Sequence, residues 1–244
     1  MKTDEQFWKV RSKAYNKLKW VNDKKYMDAF IKAAEPNKTY KVLDVGTGTG
    51  IVAHTIAPFV KEVIGLDVSQ AMLDNCNWKG NLYFVKEDIR NKLFNEGTFD
   101  LITARMVFHH ILKNIGAAMN ECYRVLKNGG TFIISEGIPP HPDIRDDYEK
   151  IFKLKENRNV FLEKDLIDMM KLSGFTDIKS KEHIMRNFSV RNWLENSGLS
   201  YKKQDKIFEM HVTASPKFKK AYNLKIINGD CLIDVKNIII TGRK

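Results

Sequence analysis

Three glycines alternate with threonines directly after a short apolar run, and the segment 42–50 reads VLDVGTGTG. Glycine lets a backbone approach a ligand closely and adopt positive φ. The free N–H groups at the start of a following helix favour a negatively charged ligand group. A dinucleotide fingerprint would carry a further glycine where this chain has Ile51. The spacing therefore predicts a ligand-binding loop but disfavours a dinucleotide.

Two acidic side chains follow the next two apolar runs. Asp67 ends the run 62–66, 17 residues beyond Gly50, where a carboxylate can accept two hydrogen bonds from a ribose diol. Its alternative role is an N-cap for the next helix, which Ser69 could fill instead. Asp88 follows the run 82–85 and could accept from an exocyclic amine, although alone it is an ordinary loop aspartate.

These residues must be positioned by elements that alternate along the chain. Strands are predicted over 41–45, 62–66, 82–85, 99–104 and 131–135, and helices over 50–59, 70–75 and 115–126. This alternation predicts an α/β fold with parallel βαβ units and a doubly wound sheet. Two later strands are expected over 175–184 and 237–241. We predict an N-terminal helical lid segment (1–39), a core (40–184 and 236–244) and an insertion that forms a substrate lid (185–235).

In order and spacing, these pieces resemble class I S-adenosylmethionine-dependent methyltransferases, close to the quinone-biosynthesis and small-molecule type. The matching segments are 42–50, GLDVSQAML at 65–73, EDI at 87–89, FDLITARMVFHHI at 99–111, RVLKNGGTFIIS at 124–135 and IITGRK at 239–244. The resemblance implies a Rossmann-like seven-stranded sheet whose last strand is antiparallel. It also implies S-adenosyl-L-methionine as cofactor and S-adenosyl-L-homocysteine as product. Family members often join the last two strands by a short turn, whereas this chain has about fifty residues there.

The resemblance assigns the methionine end of the cofactor to the glycine loop. Gly46, Gly48 and Gly50 pass under the methionine moiety, and Asp44 lies near its amino group, directly or through water. Residues 104–107, after the fourth strand, line the methyl-donor site. Relatives vary at position 105, so no particular side-chain role follows for Arg105.

The adenosine end is assigned to the next two strand ends. Asp67 holds the ribose hydroxyls, Val68 and Met72 cover one face of adenine, Ile89 covers the other, and Asp88 binds the adenine amine. The complete predicted set of cofactor contacts is Tyr15, Asp44, Gly46, Thr47, Gly48, Gly50, Asp67, Val68, Met72, Asp88, Ile89, Ala104, Arg105 and Met106.

Methyl transfer displaces a neutral thioether, so the protein must chiefly align the nucleophile and exclude water. A general base helps only where the acceptor loses a proton. The candidate bases are His109 and His110 after the fourth strand, with a packing role as the alternative; Glu136 and His141 are further options. No cluster of His, Cys and carboxylate residues has metal-ligand spacing, so no metal is expected.

The two lid segments carry aromatic residues. Phe7, Arg11 and Tyr15 are four residues apart, which predicts one shared helix face. In similar enzymes such a helix closes over the cofactor, and we place that contact at Tyr15; simple docking of an amphipathic helix is the alternative. In the insertion, Trp193 and His211 are the candidate acceptor contacts. The insertion's aromatic residues could equally form its own small core.

The chain has 244 residues and a formal net charge of +11. Residues 1–40 carry +5, residues 41–184 carry −1, residues 185–235 carry +4 and the last nine residues carry +3. The excess thus lies in the predicted lid segments and the tail, which favours an anionic acceptor or carrier. A general lysine bias, with 32 Lys against 9 Arg, is the competing explanation.

The sequence therefore predicts a methyltransferase acting on O, N or C of a small, aromatic or anionic molecule. The alternatives are an RNA methyltransferase with the same core and a non-catalytic cofactor-binding partner subunit. Nucleic acid is disfavoured because no RNA-binding module is recognisable. No apolar stretch approaches the ~20 residues that cross a bilayer. With no signal-peptide core and three scattered cysteines, a cytoplasmic location is expected, and the oligomeric state stays open.

Overall fold

The computed structural model describes residues 4–244, and its central feature is one mixed β-sheet. The strands described are β1 (Lys41–Val45), β2 (Glu62–Asp67), β3 (Leu82–Lys86), β4 (Phe99–Arg105), β5 (Leu126–Ile138), β6 (Thr176–Ser189), β7 (Lys225–Ile227) and β8 (Asp230–Arg243). Their spatial order is β3-β2-β1-β4-β5-β8-β6, and β7 pairs with β8. The first five strands run parallel, whereas β8 is antiparallel to β5 and β6. The predicted fold class is confirmed.

Helices cover both faces of the sheet. The helices described are α1 (Asp4–Ser12), α2 (Lys24–Ala34), α3 (Ile51–Ile56), α4 (Gln70–Leu73), α5 (Ile115–Val125), α6 (Arg145–Lys155), α7 (Glu163–Leu172), α8 (Val190–Glu195), α9 (Tyr201–Val212) and α10 (Pro216–Ala221). Short 3₁₀ turns lie at Tyr15–Lys17, Lys19–Asn22, Ala57–Phe59, Phe108–His110 and Pro142–Ile144. No helix in the part of the chain from residue 4 onward is both long and apolar enough to cross a membrane.

The core strands owe their position to apolar runs that are buried on both faces. Leu43, Ile102 and Phe132 belong to a cluster that also includes side chains of α5 and α7. Val42, Leu101 and side chains of α2 and α3 form a second cluster. Parallel strands covered by helices on both sides are expected to be apolar throughout, and this burial fixes which strand ends meet at the site.

The last two strands are longer than the sequence indicated. The predicted strands 175–184 and 237–241 continue as an antiparallel pair, with Met185 opposite Val235 and Ser189 opposite Leu232. The segment between them holds α8, α9, α10 and the short β7. Its apolar side chains pack with those of α6 in a third cluster. The division of the chain into lid, core and insertion remains a prediction.

The N-terminal segment departs from the predicted single helix. Helix α1 ends at Ser12, and Tyr15 begins a separate 3₁₀ turn after Ala14, whose backbone (φ −123°, ψ 0°) is not helical. Arg11 lies over the Phe7 ring at 5.0 Å, as expected for residues four apart on a helix. The prediction that Tyr15 shares this face is wrong because the helix stops before it. Residues 1–3 of the predicted lid lie outside the described residues.

Candidate active site

The glycine loop connects β1 to α3 and adopts left-handed backbone conformations. Gly46, Gly48 and Gly50 have φ of 62°, 59° and 78°. A Cβ on Gly46 would lie 2.1 Å from Cγ2 of Val107, which follows β4. The loop is tied to the next strand, since the backbone N–H of Thr47 donates to the Leu66 carbonyl at 3.0 Å. Only glycine fits at position 46 without displacing a neighbour.

Asp67 lies at the end of β2, beside this loop. Its Oδ2 accepts from the Gly48 N–H at 2.8 Å and its Oδ1 from the Ser69 N–H at 2.9 Å. The Ser69 hydroxyl caps α4, so the Asp67 side chain is not needed there. Burial raises the pKa of Asp67, although the backbone hydrogen bonds oppose this. Each oxygen keeps a lone pair for a further donor.

Asp44 sits at the base of the loop and is almost fully buried. Its Oδ2 accepts from the Thr47 hydroxyl at 2.6 Å and its Oδ1 from the Thr103 hydroxyl at 2.7 Å. Burial raises the pKa of Asp44 to about 6. The two threonines hold the carboxylate in one orientation, so it can serve as a fixed partner for a cationic group.

The side chains that were predicted to contact adenine differ in their exposure and in their hydrogen-bond partners. Met72 and Ile89 are buried, and the Met72 methyl group lies 3.3 Å from where a Cβ on Gly48 would be. Val68 is 51% exposed. Asp88 is bound by its neighbour Arg90, whose Nε donates to Oδ1 at 2.9 Å and Nη2 to Oδ2 at 2.5 Å. A further donor would therefore have to share the Asp88 carboxylate with Arg90.

The end of β4 connects the loop to the N-terminal segment. Ala104 and Arg105 are buried, and the Arg105 guanidinium lies 5.8 Å from the Trp20 ring centroid and 5.4 Å from that of Tyr26. Among the described residues, its Nη1 has no hydrogen-bond partner. The sequence did not indicate this contact with the N-terminal segment.

Tyr15 and its neighbour contact the same region. Burial raises the pKa of Tyr15, while the nearby guanidiniums of Arg105 and Arg11 lower it and the carboxylate of Asp67 raises it further. The Thr49 hydroxyl donates to Oδ1 of Asn16 at 2.8 Å, which links the N-terminal segment to the glycine loop. The N-terminal segment therefore contacts the glycine loop, and its role as a lid stays a prediction.

A cavity of about 90 Å³ lies at the same edge of the sheet. Of the predicted residues, it is lined by Tyr15, Met106, His109, His110, Trp193 and His211. His211 is 2% exposed and hydrogen-bonded through Nδ1 to the Ile207 carbonyl at 2.8 Å, so it is not a surface histidine. The cavity brings together side chains of the N-terminal segment, β4, α6 and the insertion.

His109 lines the cavity and is paired with a buried carboxylate. His109 Nδ1 lies 2.5 Å from Oε2 of Glu136, a residue of β5, and both side chains are buried. Burial raises the pKa of Glu136 to about 7, although Arg158 opposes this. Burial holds the pKa of His109 well below its ordinary value, and Arg158 adds to that effect. If Nδ1 carries the proton toward Glu136, Nε2 is left as a free acceptor. His110 packs on His109, with ring centroids 4.0 Å apart.

A cluster of buried charges lies next to these histidines in the cavity lining, and it was not predicted from the sequence. Glu156 accepts from Arg11 and from the Lys155 ammonium at 2.6 Å, and Arg158 lies 3.6 Å away. The four side chains are at most 7% exposed. The segment 153–158 reads KLKENR, which resembles an ordinary solvated charge run. No local signal marks it as interior.

His109, His110 and Glu156 place potential metal-ligand atoms within 4.8 Å of one another. The carboxylate, however, already faces three cationic groups. A divalent cation there would meet strong repulsion from Arg11, Lys155 and Arg158. The surroundings therefore suit an anion better than a metal ion.

Comparison with known proteins agrees with this geometry. Residues 43–134 match the family described as methyltransferase domain. The uncharacterized methyltransferase YcgJ of Bacillus subtilis is 29% identical over 152 residues, 60% of each chain. The ubiquinone/menaquinone biosynthesis C-methyltransferase UbiE of Rhizobium johnstonii is 35% identical over 127 residues, 46% of this chain and 47% of that protein. The chain thus spans about half to three fifths of the length of these curated relatives.

Solved structures share the fold at low identity. The crystal structure of B. subtilis YcgJ has a TM-score of 0.80 at 22% identity and covers 89% of this chain and 97% of that one. Phosphoethanolamine N-methyltransferase 2 of Haemonchus contortus, in complex with phosphomonomethylethanolamine and S-adenosylhomocysteine, has a TM-score of 0.71 at 17% identity, covering 100% and 60%. Residues 43–134 of this chain thus match the methyltransferase domain family, and the resemblance to S-adenosylmethionine-dependent methyltransferases is confirmed.

Proposed function

We propose that this chain is an S-adenosyl-L-methionine-dependent methyltransferase that acts on an O, N or C atom of a small molecule. The observation that carries the proposal is a single edge of the sheet. There the glycine loop and the carboxylates of Asp44 and Asp67 adjoin a cavity that is lined by aromatic side chains and by His109, which is paired with Glu136. The curated relatives named as methyltransferases support the same function.

The residues present fit the cofactor. Asp67 is fixed by two backbone N–H groups and keeps lone pairs for a ribose diol. The glycine loop has no Cβ at Gly46, where the neighbouring Val107 leaves no room for one. Asp44 would hold the amino group, and Met72 and Ile89 would pack against adenine. When bound, the cofactor supplies an electrophilic methyl group on a sulfonium. The other predicted contacts, including Tyr15, Val68, Asp88 and residues 104–106, are proposed on the same basis.

The cavity walls would hold the acceptor and exclude water. Trp193 and His211 from the insertion and Trp8 from α1 close the cavity on the side of the lid segments. Because the leaving group is neutral, this chain needs no acid, and the remaining task is removal of a proton from the acceptor. His109 would take that proton at Nε2, oriented by Glu136, with His110 packed behind it as a second candidate.

The first test is calorimetric titration with S-adenosyl-L-methionine and S-adenosyl-L-homocysteine. Saturable one-to-one binding of both is expected, and absence of binding would overturn the proposal. Turnover with an added acceptor then separates an enzyme from a non-catalytic partner subunit. Retention of RNA at low salt, with affinity falling steeply as salt rises, would instead favour the RNA methyltransferase alternative. A cytoplasmic location is proposed with it, supported by the free state of Cys76, Cys122 and Cys231.

Replacing His109 with Gln tests the proposed base. Loss of a positioned base typically costs about 10²–10⁴-fold in rate, so we expect turnover to fall by that factor while affinity for S-adenosyl-L-homocysteine changes less than about twofold. His141→Gln is the matched control because its side chain is 60% exposed. Unchanged turnover in His109→Gln would assign this residue to packing alone.

Cofactor binding should depend on pH through Asp44. Its pKa of about 6 means that the carboxylate is increasingly protonated as pH falls below 6, and an ammonium group then loses its partner. We expect the affinity for S-adenosyl-L-homocysteine to fall as pH drops from 6.5 to 5, approaching about tenfold per pH unit. Titrations at pH 5.5 in two buffers of different ionisation enthalpy should show proton release on binding.

Asp44→Asn separates this group from others that titrate nearby, such as Asp67. The variant should bind more weakly at pH 7 and lose most of the pH dependence. A pH profile that is the same in Asp44→Asn as in the original chain would show that another group is responsible.

A further inference from the structure

The cavity contains more positive than negative charge. Arg11, Lys155 and Arg158 meet a single carboxylate in their cluster, that of Glu156, and all four side chains are buried. Glu136, which is fully buried and does not line the cavity, is paired with His109. Even with both carboxylates ionised and the histidines neutral, three cations face two anions. Buried charge that lacks a partner costs free energy, so this wall is suited to take up an anion.

The cationic groups are also incompletely hydrogen-bonded. Among the described residues, Nε of Arg11 is buried without a partner. Arg158 Nη1 is 3.6 Å from Glu156 Oε1, beyond hydrogen-bond distance, and its Nε donates to the Asn159 carbonyl at 3.3 Å. Burial lowers the pKa of Lys155 to about 7, with Arg11 adding to the effect. A second anion beside Glu156 would relieve these deficits together.

The surrounding side chains indicate what the rest of such a ligand looks like. Arg158 lies over the Phe152 ring at 4.3 Å and Lys155 lies 5.2 Å from the Trp193 centroid. Trp8 and Tyr148 complete an aromatic wall around the charges. An aromatic or apolar body would fill this space while an acidic group faces the guanidiniums.

We propose that the methyl acceptor carries an anionic group, a carboxylate or a phosphate ester, bound between Arg11 and Arg158. Glu156 balances the same cations while no acceptor is bound. This inference rests on the proposed function, because that function places the acceptor in this cavity. Of the basic residues in the N-terminal segment, it gives a role to Arg11 alone.

The test uses the full chain saturated with S-adenosyl-L-homocysteine, titrated at pH 6.5 with benzoate, phenyl phosphate and the neutral benzamide. At least one anion should bind about tenfold or more tightly than benzamide, as expected for a lost charge-assisted hydrogen bond. Comparing benzoate with phenyl phosphate shows which acid is preferred. Equal affinity for benzamide, or no binding of either anion, would overturn the proposal.

Variants locate the binding. Arg158→Gln should lower the affinity for the anion by about tenfold or more. Lys153→Gln is the control and should change that affinity less than about twofold, since Lys153 is on α6 with a side chain that is 77% exposed. Glu156→Gln removes the internal competitor and should strengthen anion binding. If the four charges form only a structural cluster, Glu156→Gln will lower the stability of the protein. Phenyl phosphate will then raise the melting temperature of Glu156→Gln no more than it raises the melting temperature of the original chain.

Separate titration of the cofactor product keeps the two proposals distinguishable. Binding of S-adenosyl-L-homocysteine without preference for anions rejects the anion site alone. Binding of anions at Arg158 without binding of S-adenosyl-L-homocysteine rejects the methyltransferase function and leaves the anion site standing.

Discussion

Replacing Asp67 with alanine should lower the affinity for S-adenosyl-L-homocysteine by about 10²–10⁴-fold. A ribose diol would donate two hydrogen bonds to this carboxylate, and hydrogen bonds to charged groups contribute about 1.5–3 kcal/mol each. Asp67 is held ready for this role, because the N–H groups of Gly48 and Ser69 fix both oxygens. Isothermal titration calorimetry measures the loss directly.

Two further variants separate ligand binding from loop stability. Asp67→Asn keeps one acceptor oxygen and should lose less affinity than Asp67→Ala. Asp74→Ala is the control. It removes a carboxylate just after α4 that accepts from the exposed Gln70 side chain at 2.8 Å, and the affinity of this variant should stay unchanged. If Asp67→Ala retains affinity within about threefold while its melting temperature falls, Asp67 serves the loop rather than the ligand.

The part of this site that could be predicted from sequence is local. The glycine loop, Asp67 and the strand ends follow from apolar runs that end in particular residues, because a parallel sheet brings the carboxyl ends of its strands to one edge. The antiparallel last strand followed from the resemblance rather than from the pattern alone.

The charge cluster could not be predicted, because it depends on tertiary contacts. Arg11 and Glu156 are 145 residues apart and meet only when α1 lies against the end of α6. In sequence, 153–158 has the composition of a solvent-exposed helix end. The Asp88–Arg90 ion pair was missed for a different reason. The two residues are two positions apart in sequence, but the rotamers of their side chains decide whether they pair.

The N-terminal segment shows how a correct spacing can still mislead. Residues 7, 11 and 15 have helical spacing, yet the helix ends at Ser12. Tyr15 nevertheless lines the cavity, because the 3₁₀ turn that follows lies across the strand ends. Arg11 is buried and Phe7 and Tyr15 are half-buried, so the spacing indicated side chains that pack inward but not the element that carries Tyr15.

Gly46→Ala should be strongly destabilising, because the loops after β1 and β4 are in direct contact. Val45 pairs with Ala104 in the parallel register, so the residues beyond each strand end lie side by side. An added Cβ would stand 2.1 Å from Val107 Cγ2 and 2.6 Å from its Cβ. Overpacking costs about 1–3 kcal/mol, and left-handed φ adds about 1–2 kcal/mol for a residue with a Cβ. We expect a loss of about 2–4 kcal/mol and a melting temperature lower by about 5–15 °C.

A double-mutant cycle assigns this loss to the contact. Val107→Ala removes the atoms that the new Cβ would meet, so Gly46→Ala should cost much less in a Val107→Ala background, leaving mainly the backbone contribution. Gly97→Ala is the backbone control, since Gly97 has φ of 61° and an added Cβ there would meet no described atom within 4 Å. Its cost in urea unfolding should equal the part that Val107→Ala does not recover. Strictly additive effects of Gly46→Ala and Val107→Ala would show that the two loops do not touch, and would remove the steric reason for glycine at the position proposed to face the cofactor.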